Sequence, residues 1–207
     1  IDPKVSKAIN EGKPLVALES TLISHGLPYP ENIKVANDSI KAVEESGSVA
    51  ATIGIINGEI IIGLNDEEIN ILATSKNIDK VSLHNISLSI YEKKHAATTV
   101  ATTINIASKI GINFFATGGI GGVHLGAEKN SDVSADLTQL SRNKMFVISS
   151  GAKSILDLEK TFEKLETFGI PRIAYNSDFM PGFWYEETDF KVDKNFKNIT
   201  DIAKYLK

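Results

Sequence analysis

The 207-residue sequence predicts an α/β fold, and two observations carry that expectation. Short apolar runs alternate with stretches in which apolar residues recur at helical spacing, nearly to the end of the chain. Between Ala50 and Gly63, the pair Asn57-Gly58 separates two strand-like runs. That pair is the preferred two-residue hairpin turn because both central residues need positive φ. An antiparallel pair is therefore expected inside a sheet that is otherwise parallel.

The elements follow in order. Asp2-Pro3 reads as an N-cap followed by proline at the first helical position, which predicts a helix over 3–11 ending at Gly12. Leu15 to Leu18 reads as a buried strand, and the turn-rich stretch Ser24 to Pro30 as a loop. A helix then begins near Pro30, with Val35, Ile40 and Val43 at helical spacing and Gly47 closing it. After the hairpin, Asn65 caps a short helix through Leu72, Val81 to Leu83 is a strand, and Thr98 to Ile110 reads as one amphipathic helix. Asn113 to Thr117 and Met145 to Ser149 are further strands. Each of those two ends at small residues, Thr117-Gly118-Gly119 and Ser149-Ser150-Gly151, where α/β proteins place their ligand loops. A helix over Ser154 to Thr167, a strand at Arg172 to Tyr175 and a helix over Ile199 to Leu206 complete the prediction.

Composition narrows the function classes. With 42% hydrophobic and 23% charged residues the chain suits a globular protein with a full-sized core, and a single domain over 1–207 is expected. Lys and Arg number 22 against 26 Asp and Glu, a formal charge of -4, so the broad basic surface of a nucleic-acid binder is not expected. No apolar stretch has membrane-spanning length and the first residues show no signal-peptide pattern, so a cytoplasmic address is expected. Cysteine is absent, which removes disulfides, thiol nucleophiles and cysteine metal sites. Chemistry here must use Lys, Glu, Asp, His, Ser or Thr.

Several residues could supply it. Lys153 follows a predicted strand and stands at the predicted start of a helix, whose positive end disfavours an ammonium and favours a nucleophilic amine. A solvated surface lysine and a phosphate-binding lysine are the competing readings; Walker A does not apply, because Ala152 precedes Lys153. Glu19 ends the buried run Leu15-Val16-Ala17-Leu18, a setting that suits a general acid, or alternatively a capping carboxylate. The segment Gly118-Gly119-Ile120-Gly121-Gly122 can bring several N–H groups close to an anion, or can merely reverse the chain. His124, Glu128, Asp132 and Asp136 recur at intervals of four, although Gly126 and Asn130-Ser131 argue against one unbroken helix. Asp132 and Asp136 suit a divalent cation that keeps several waters, with an N-cap as the other reading of Asp136. Thr98-Thr99 either donates hydroxyls to a ligand or caps the following helix. His25, His84 and His95 have no spacing that makes a metal triad.

Taken together, Ala17-Leu18-Glu19-Ser20-Thr21, His25-Gly26-Leu27-Pro28-Tyr29-Pro30, Ala97-Thr98-Thr99-Val100-Ala101, Phe115 to His124, Asp132-Val133-Ser134-Ala135-Asp136-Leu137 and Gly151-Ala152-Lys153-Ser154 are more specific than any one of them. The chain resembles the pseudouridine-5'-phosphate glycosidase family, also called indigoidine synthase A-like, from about residue 3 to about residue 190. The resemblance implies a three-layer α/β/α fold with a mixed, mainly parallel sheet. It also implies reversible cleavage of the C–C glycosidic bond of pseudouridine 5'-phosphate to uracil and ribose 5-phosphate, with a manganese-type cation, in a homotrimer. On that resemblance Lys153 matches the lysine that forms an imine with the opened ribose, and Glu19 the proton donor. Asp132 matches the metal ligand, Ser134-Ala135-Asp136 a substrate-contact triplet, Lys80 and Val100 two further substrate contacts, and His124 a phosphate contact. Leu83-His84-Asn85 stands where the family carries an arginine-rich stretch, and Ala96 where it carries glycine. Family members run on beyond the equivalent of Lys207 into a segment expected to contact uracil. The alternatives are a Schiff-base lyase or aldolase on another sugar phosphate, and a non-catalytic fragment or degenerate paralogue that binds a phosphorylated ligand or a partner subunit without turnover.

Overall fold

The computed structural model describes residues 1–207, which divide into two compact units: 1–117 with 143–148, and 118–142 with 149–207.

In the first unit, α1 (Pro3–Asn10) opens with Asp2 accepting the Lys4 N–H and proline at the start, as its cap chemistry dictates. The strands β1 (Leu15–Leu18), β2 (Val49–Ile56), β3 (Glu59–Ile62), β4 (Asp79–Val81), β5 (Ala96–Thr98), β6 (Phe114–Ala116) and β7 (Phe146–Ile148) form one seven-stranded sheet in the order β4-β5-β2-β1-β6-β7, with β3 also paired to β2. The pairs β1–β2, β1–β6, β6–β7 and β4–β5 are parallel, whereas β2–β3 and β2–β5 are antiparallel. The sheet is thus mixed and mainly parallel, and the hairpin about Asn57-Gly58 is present with Ile56 opposite Glu59.

Its interior is aliphatic. Ala17, Ile53, Ile55, Ile104 and Phe115 are completely buried. A second cluster of Ile23, Ala36, Leu64, Ile69 and Leu72 packs α2 (Glu31–Glu45) and α3 (Asp66–Thr74) together. Asn65 and Glu68 close a reciprocal capping box at the start of α3, as the Asn65 reading requires.

Three expectations for this unit need correction. The stretch Ser24 to Pro30 is not loop throughout, because Leu22–Gly26 winds into a π-helical turn. The strand expected at Val81 to Leu83 lies at Asp79–Val81: Asn85 accepts the Ser82 N–H and donates to the Lys80 carbonyl, turning the chain there, and α4 (Ile86–Tyr91) follows. Thr98 to Ile110 is not one helix. Ala96-Ala97-Thr98 is fully buried as β5 between β2 and β4, and α5 (Val100–Lys109) starts only after Thr99 caps it. Three small residues carry no strand signal, so only the pairing partners decide their state.

In the second unit, α6 (Ala127–Asn130) and α7 (Ala135–Arg142) are separated by Ser131 at φ 58, which breaks the single helix that the spacing of four would need. The helix expected from Ser154 is α8 (Leu158–Thr167), capped by Asp157, which accepts the Lys160 N–H at 3.1 Å. The residues before it are held in bridges instead, Ala152 with Ile120 and Leu156 with His124. The strand β8 (Ile173–Tyr175) pairs in parallel with β9 (Lys194–Phe196), an unanticipated strand, and α9 (Ile199–Tyr205) closes the chain. Phe162, Leu165 and Leu137 are buried in this unit.

Candidate active site

Parallel pairing places Leu18 opposite Ala116, so the next residues on the two strands, Glu19 and Thr117, emerge side by side at the carboxyl ends of β1 and β6. The Thr117 hydroxyl donates to Glu19 Oε1 at 2.5 Å. The chain beyond Glu19 is locked as well. Ser20 Oγ accepts the Thr98 N–H at 2.8 Å, and the Thr21 hydroxyl donates to the Thr98 carbonyl at 2.7 Å. Thr98 Oγ1 in turn donates to the Ile53 carbonyl at 2.7 Å and meets Thr103 Oγ1 at 2.9 Å. Ser20, Thr98 and Thr103 have zero exposure, so this hydroxyl network is a hydrogen-bonded polar core.

The two readings of Thr98-Thr99 are thereby separated: Thr98 is a core residue and Thr99 is the cap of α5. Val100, the first residue of that helix, is 1% exposed, so any contact it offers to a substrate comes from its backbone N–H rather than its side chain. Lys80 is exposed on the edge strand β4, opposite Ala97.

In the second unit the glycine-rich segment is threaded by three ladders. Lys153 N–H donates to the Ile120 carbonyl and Ile120 N–H to the Gly151 carbonyl, both at 3.0 Å. Ser134 N–H donates to the Gly122 carbonyl at 2.9 Å, and Asp136 Oδ2 accepts the Gly121 N–H at 2.7 Å. A Cβ added at Gly121 would lie 2.4 Å from Ser134 Oγ, so only glycine permits this approach. Asp136 is not an N-cap: it lies in the first turn of α7, with its backbone N–H donating to Ser134 Oγ at 3.2 Å. Its carboxylate, 6% exposed, pins the loop.

Lys153, half-buried, stands outside the first turn of α8, so the helix terminus invoked from sequence is not what surrounds it. Ser134-Ala135-Asp136 and Lys153 are instead gathered by the two edges of the same glycine-rich segment. His124 and Asp132 are brought together: the His124 N–H donates to the Asp132 carbonyl at 3.0 Å and Nδ1 lies 4.0 Å from Asp132 Oδ2. Nearby, Lys160 joins Glu128 at 3.1 Å and Asp157 at 2.9 Å. Hydrogen bonds to Asp157 and Glu128 hold the Lys160 ammonium above its ordinary pKa.

No group of three or more His, Asp or Glu side chains converges as a metal cage. The exposed Asp132 carboxylate, with an imidazole beside it, fits a hard divalent ion that keeps most of its water shell. It does not fit a fully caged structural ion.

The comparisons agree with this architecture. The family description "Indigoidine synthase A like protein" matches residues 4–207, and the chain belongs to that family. It is 49% identical over 203 residues, 98% of its length, to a Geobacillus kaustophilus protein named pseudouridine-5'-phosphate glycosidase, covering 67% of that relative. It is 50% identical over 200 residues to a Staphylococcus aureus protein of the same name, covering 65% of it. Among solved structures, prealnumycin C-glycosynthase AlnA in complex with ribulose 5-phosphate superposes with a TM-score of 0.90 at 40% identity, over 99% of this chain and 66% of that one. An indigoidine synthase A-like protein from Thermotoga maritima gives 0.88 at 39% identity. The fold class expected from the resemblance is thus the one adopted. The chain spans about two thirds of the length of these relatives.

What the sequence missed is Thr117 as the partner of Glu19 and the hydroxyl network beneath it. The signal was present as polar residues directly following apolar runs, but spacing along one strand cannot name the partner on another.

Proposed function

We propose that the chain is a pseudouridine-5'-phosphate glycosidase that converts pseudouridine 5'-phosphate and water to uracil and ribose 5-phosphate, reversibly. The observation that carries this is the 49% identity over 98% of the chain to a relative of that name.

A C–C glycosidic bond has no leaving oxygen or nitrogen to protonate, so paired carboxylates alone would leave a carbanion at the uracil C5. Glu19 gives its proton to the ribose ring oxygen as the C1'–O4' bond opens, and the Lys153 amine forms a bond to C1' and sheds a proton. The Glu19 carboxylate takes up the proton that Lys153 sheds and delivers it to uracil C5. As the C1'–C5 bond breaks, its electron pair restores the C5=C6 double bond of neutral uracil, while the Lys153 nitrogen lone pair closes the C1'=N imine. Water then adds to C1', releasing ribose 5-phosphate and the free amine.

Asp132, with His124 beside it, would hold a manganese-type ion, which supplies positive charge and ordered water near the sugar phosphate. Ser134, Ala135, Asp136, Lys80 and the Val100 backbone belong to the substrate-binding set of this reading, and His124 also to phosphate contact. A homotrimer and a cytoplasmic setting complete it.

Uracil release from pseudouridine 5'-phosphate and manganese, followed beside Lys153→Ala, tests the reading. Uracil from the wild type, none from the variant, and a borohydride-stable ribose phosphate adduct on Lys153 are expected. No uracil from the wild type refutes it. A second reading is supported by the 40% identical neighbour named a C-glycosynthase, in complex with ribulose 5-phosphate: joining of a pentose phosphate to a carbon of an acceptor other than uracil. Adduct formation on Lys153 with ribose 5-phosphate but no uracil turnover would select it.

A further inference from the structure

We infer that Thr117 is the positioning residue of Glu19, deciding which carboxyl oxygen carries the catalytic proton. The inference rests on the glycosidase reading for what Glu19 does, and on geometry for how Thr117 acts.

Three observations bear it. The register Leu18↔Ala116 leaves Glu19 and Thr117 as the first pair past the end of two parallel strands. Both backbones are fixed: Thr117 N–H donates to the Ile148 carbonyl at 3.0 Å, and Ser20 and Thr21, next to Glu19, are bonded to Thr98. The Thr117 hydroxyl then donates to Glu19 Oε1 at 2.5 Å.

A hydroxyl that donates to Oε1 makes Oε1 the carbonyl-like oxygen of a neutral carboxyl group, so the acid proton resides on Oε2. When Glu19 gives that proton to the ring oxygen, the same hydroxyl bond strengthens onto the new carboxylate. It therefore acts more on the transition state than on substrate binding, and its loss falls on kcat rather than KM.

The experiment compares Thr117→Val, which keeps the shape and β-branching without the hydroxyl, with Thr117→Ser, which keeps the hydroxyl. Uracil release is measured alongside the Glu19 carboxyl resonance in protein labelled with 13C-glutamate, assigned by its loss in Glu19→Gln. The valine variant is expected to lose about 10- to 100-fold in kcat, the range a hydrogen bond to a charged group supplies, with KM within about twofold and the Glu19 resonance displaced. The serine variant restores both. A Thr117→Val protein with wild-type kcat, a change confined to KM, or an unmoved Glu19 resonance overturns the inference. Should the wild type release no uracil while the resonance still moves in the valine variant alone, the glycosidase reading falls and the positioning contact stands.

Discussion

Gly151→Ala tests how tightly the segment before Lys153 is built. Gly151 has φ +87, and a Cβ there would lie 2.2 Å from the Pro181 carbonyl oxygen, which is backbone and cannot swing aside. Gly169, in the same unit, has φ +66 but nothing within 4 Å of its would-be Cβ. The two substitutions share a conformational cost of about 1 kcal/mol for an L-residue in the left-handed region. Only Gly151 adds overlap, about 1 to 3 kcal/mol. Relieving that overlap also displaces the Gly151–Gly182 bridge and the 2.9 Å bond from Phe183 N–H to the Ser150 carbonyl, about 1 kcal/mol more. The expected totals are about 3 to 5 kcal/mol for Gly151→Ala against about 1 for Gly169→Ala. Urea unfolding reads the difference through Trp184, the single tryptophan of the chain, which sits in the affected loop, with far-UV circular dichroism as the second probe. At a urea slope of about 2 kcal/mol per molar, the midpoints of the two variants should differ by about 1 M or more. Equal midpoints would refute the argument that space, rather than φ alone, reserves position 151 for glycine.

Two further outcomes follow from the packing. Arg172 grips Asp193 through Nη2 to Oδ1 at 2.7 Å, Nε to Oδ2 at 3.3 Å and its backbone N–H to Oδ2 at 2.7 Å, joining the starts of β8 and β9. The hydrogen bond from Arg172 holds the Asp193 carboxyl below its usual range. A depressed folded-state pKa contributes stability above the unfolded value near 3.9 and loses it as pH falls through the folded value. Asp193→Asn should thus cost about 1 kcal/mol at pH 7, discounted for a half-exposed pair, and the gap to wild type should narrow in denaturation curves as pH falls below the unfolded-state value of about 3.9. Phe115→Ala empties a site with zero exposure in the middle of the first unit's sheet; a loss of about 3 to 5 kcal/mol is expected by chemical denaturation, and a loss under about 1 would mean the neighbours collapse into the space.

Some of this was legible from residues alone. Helix starts whose caps are local in sequence, Asp2-Pro3 and Asn65 with Glu68, came out where their chemistry placed them, and Asn57-Gly58 set its hairpin because turn geometry is a two-residue property. The candidate site residues were legible as an ordered set of motifs rather than one by one: neither Glu19 nor Lys153 separates from an ordinary charged residue on its local sequence. The errors share a cause. Ala96-Ala97-Thr98 became a strand because β2 and β4 lie on either side. Leu158 rather than Ser154 began a helix because the intervening residues were taken up by bridges to the glycine-rich segment.

The sequence by itself determined the α/β class, the hairpin, the capped helices and the family, since periodicity, turn chemistry and motif order are all properties of the chain read along its length. Only the tertiary structure decided that Asp136 holds the Gly121 N–H, that Thr98 and Ser20 are buried partners, and that Thr117 grips Glu19. Those pairs are far apart in sequence and meet only through strand register and loop bridging, which are set by what each element buries against the others.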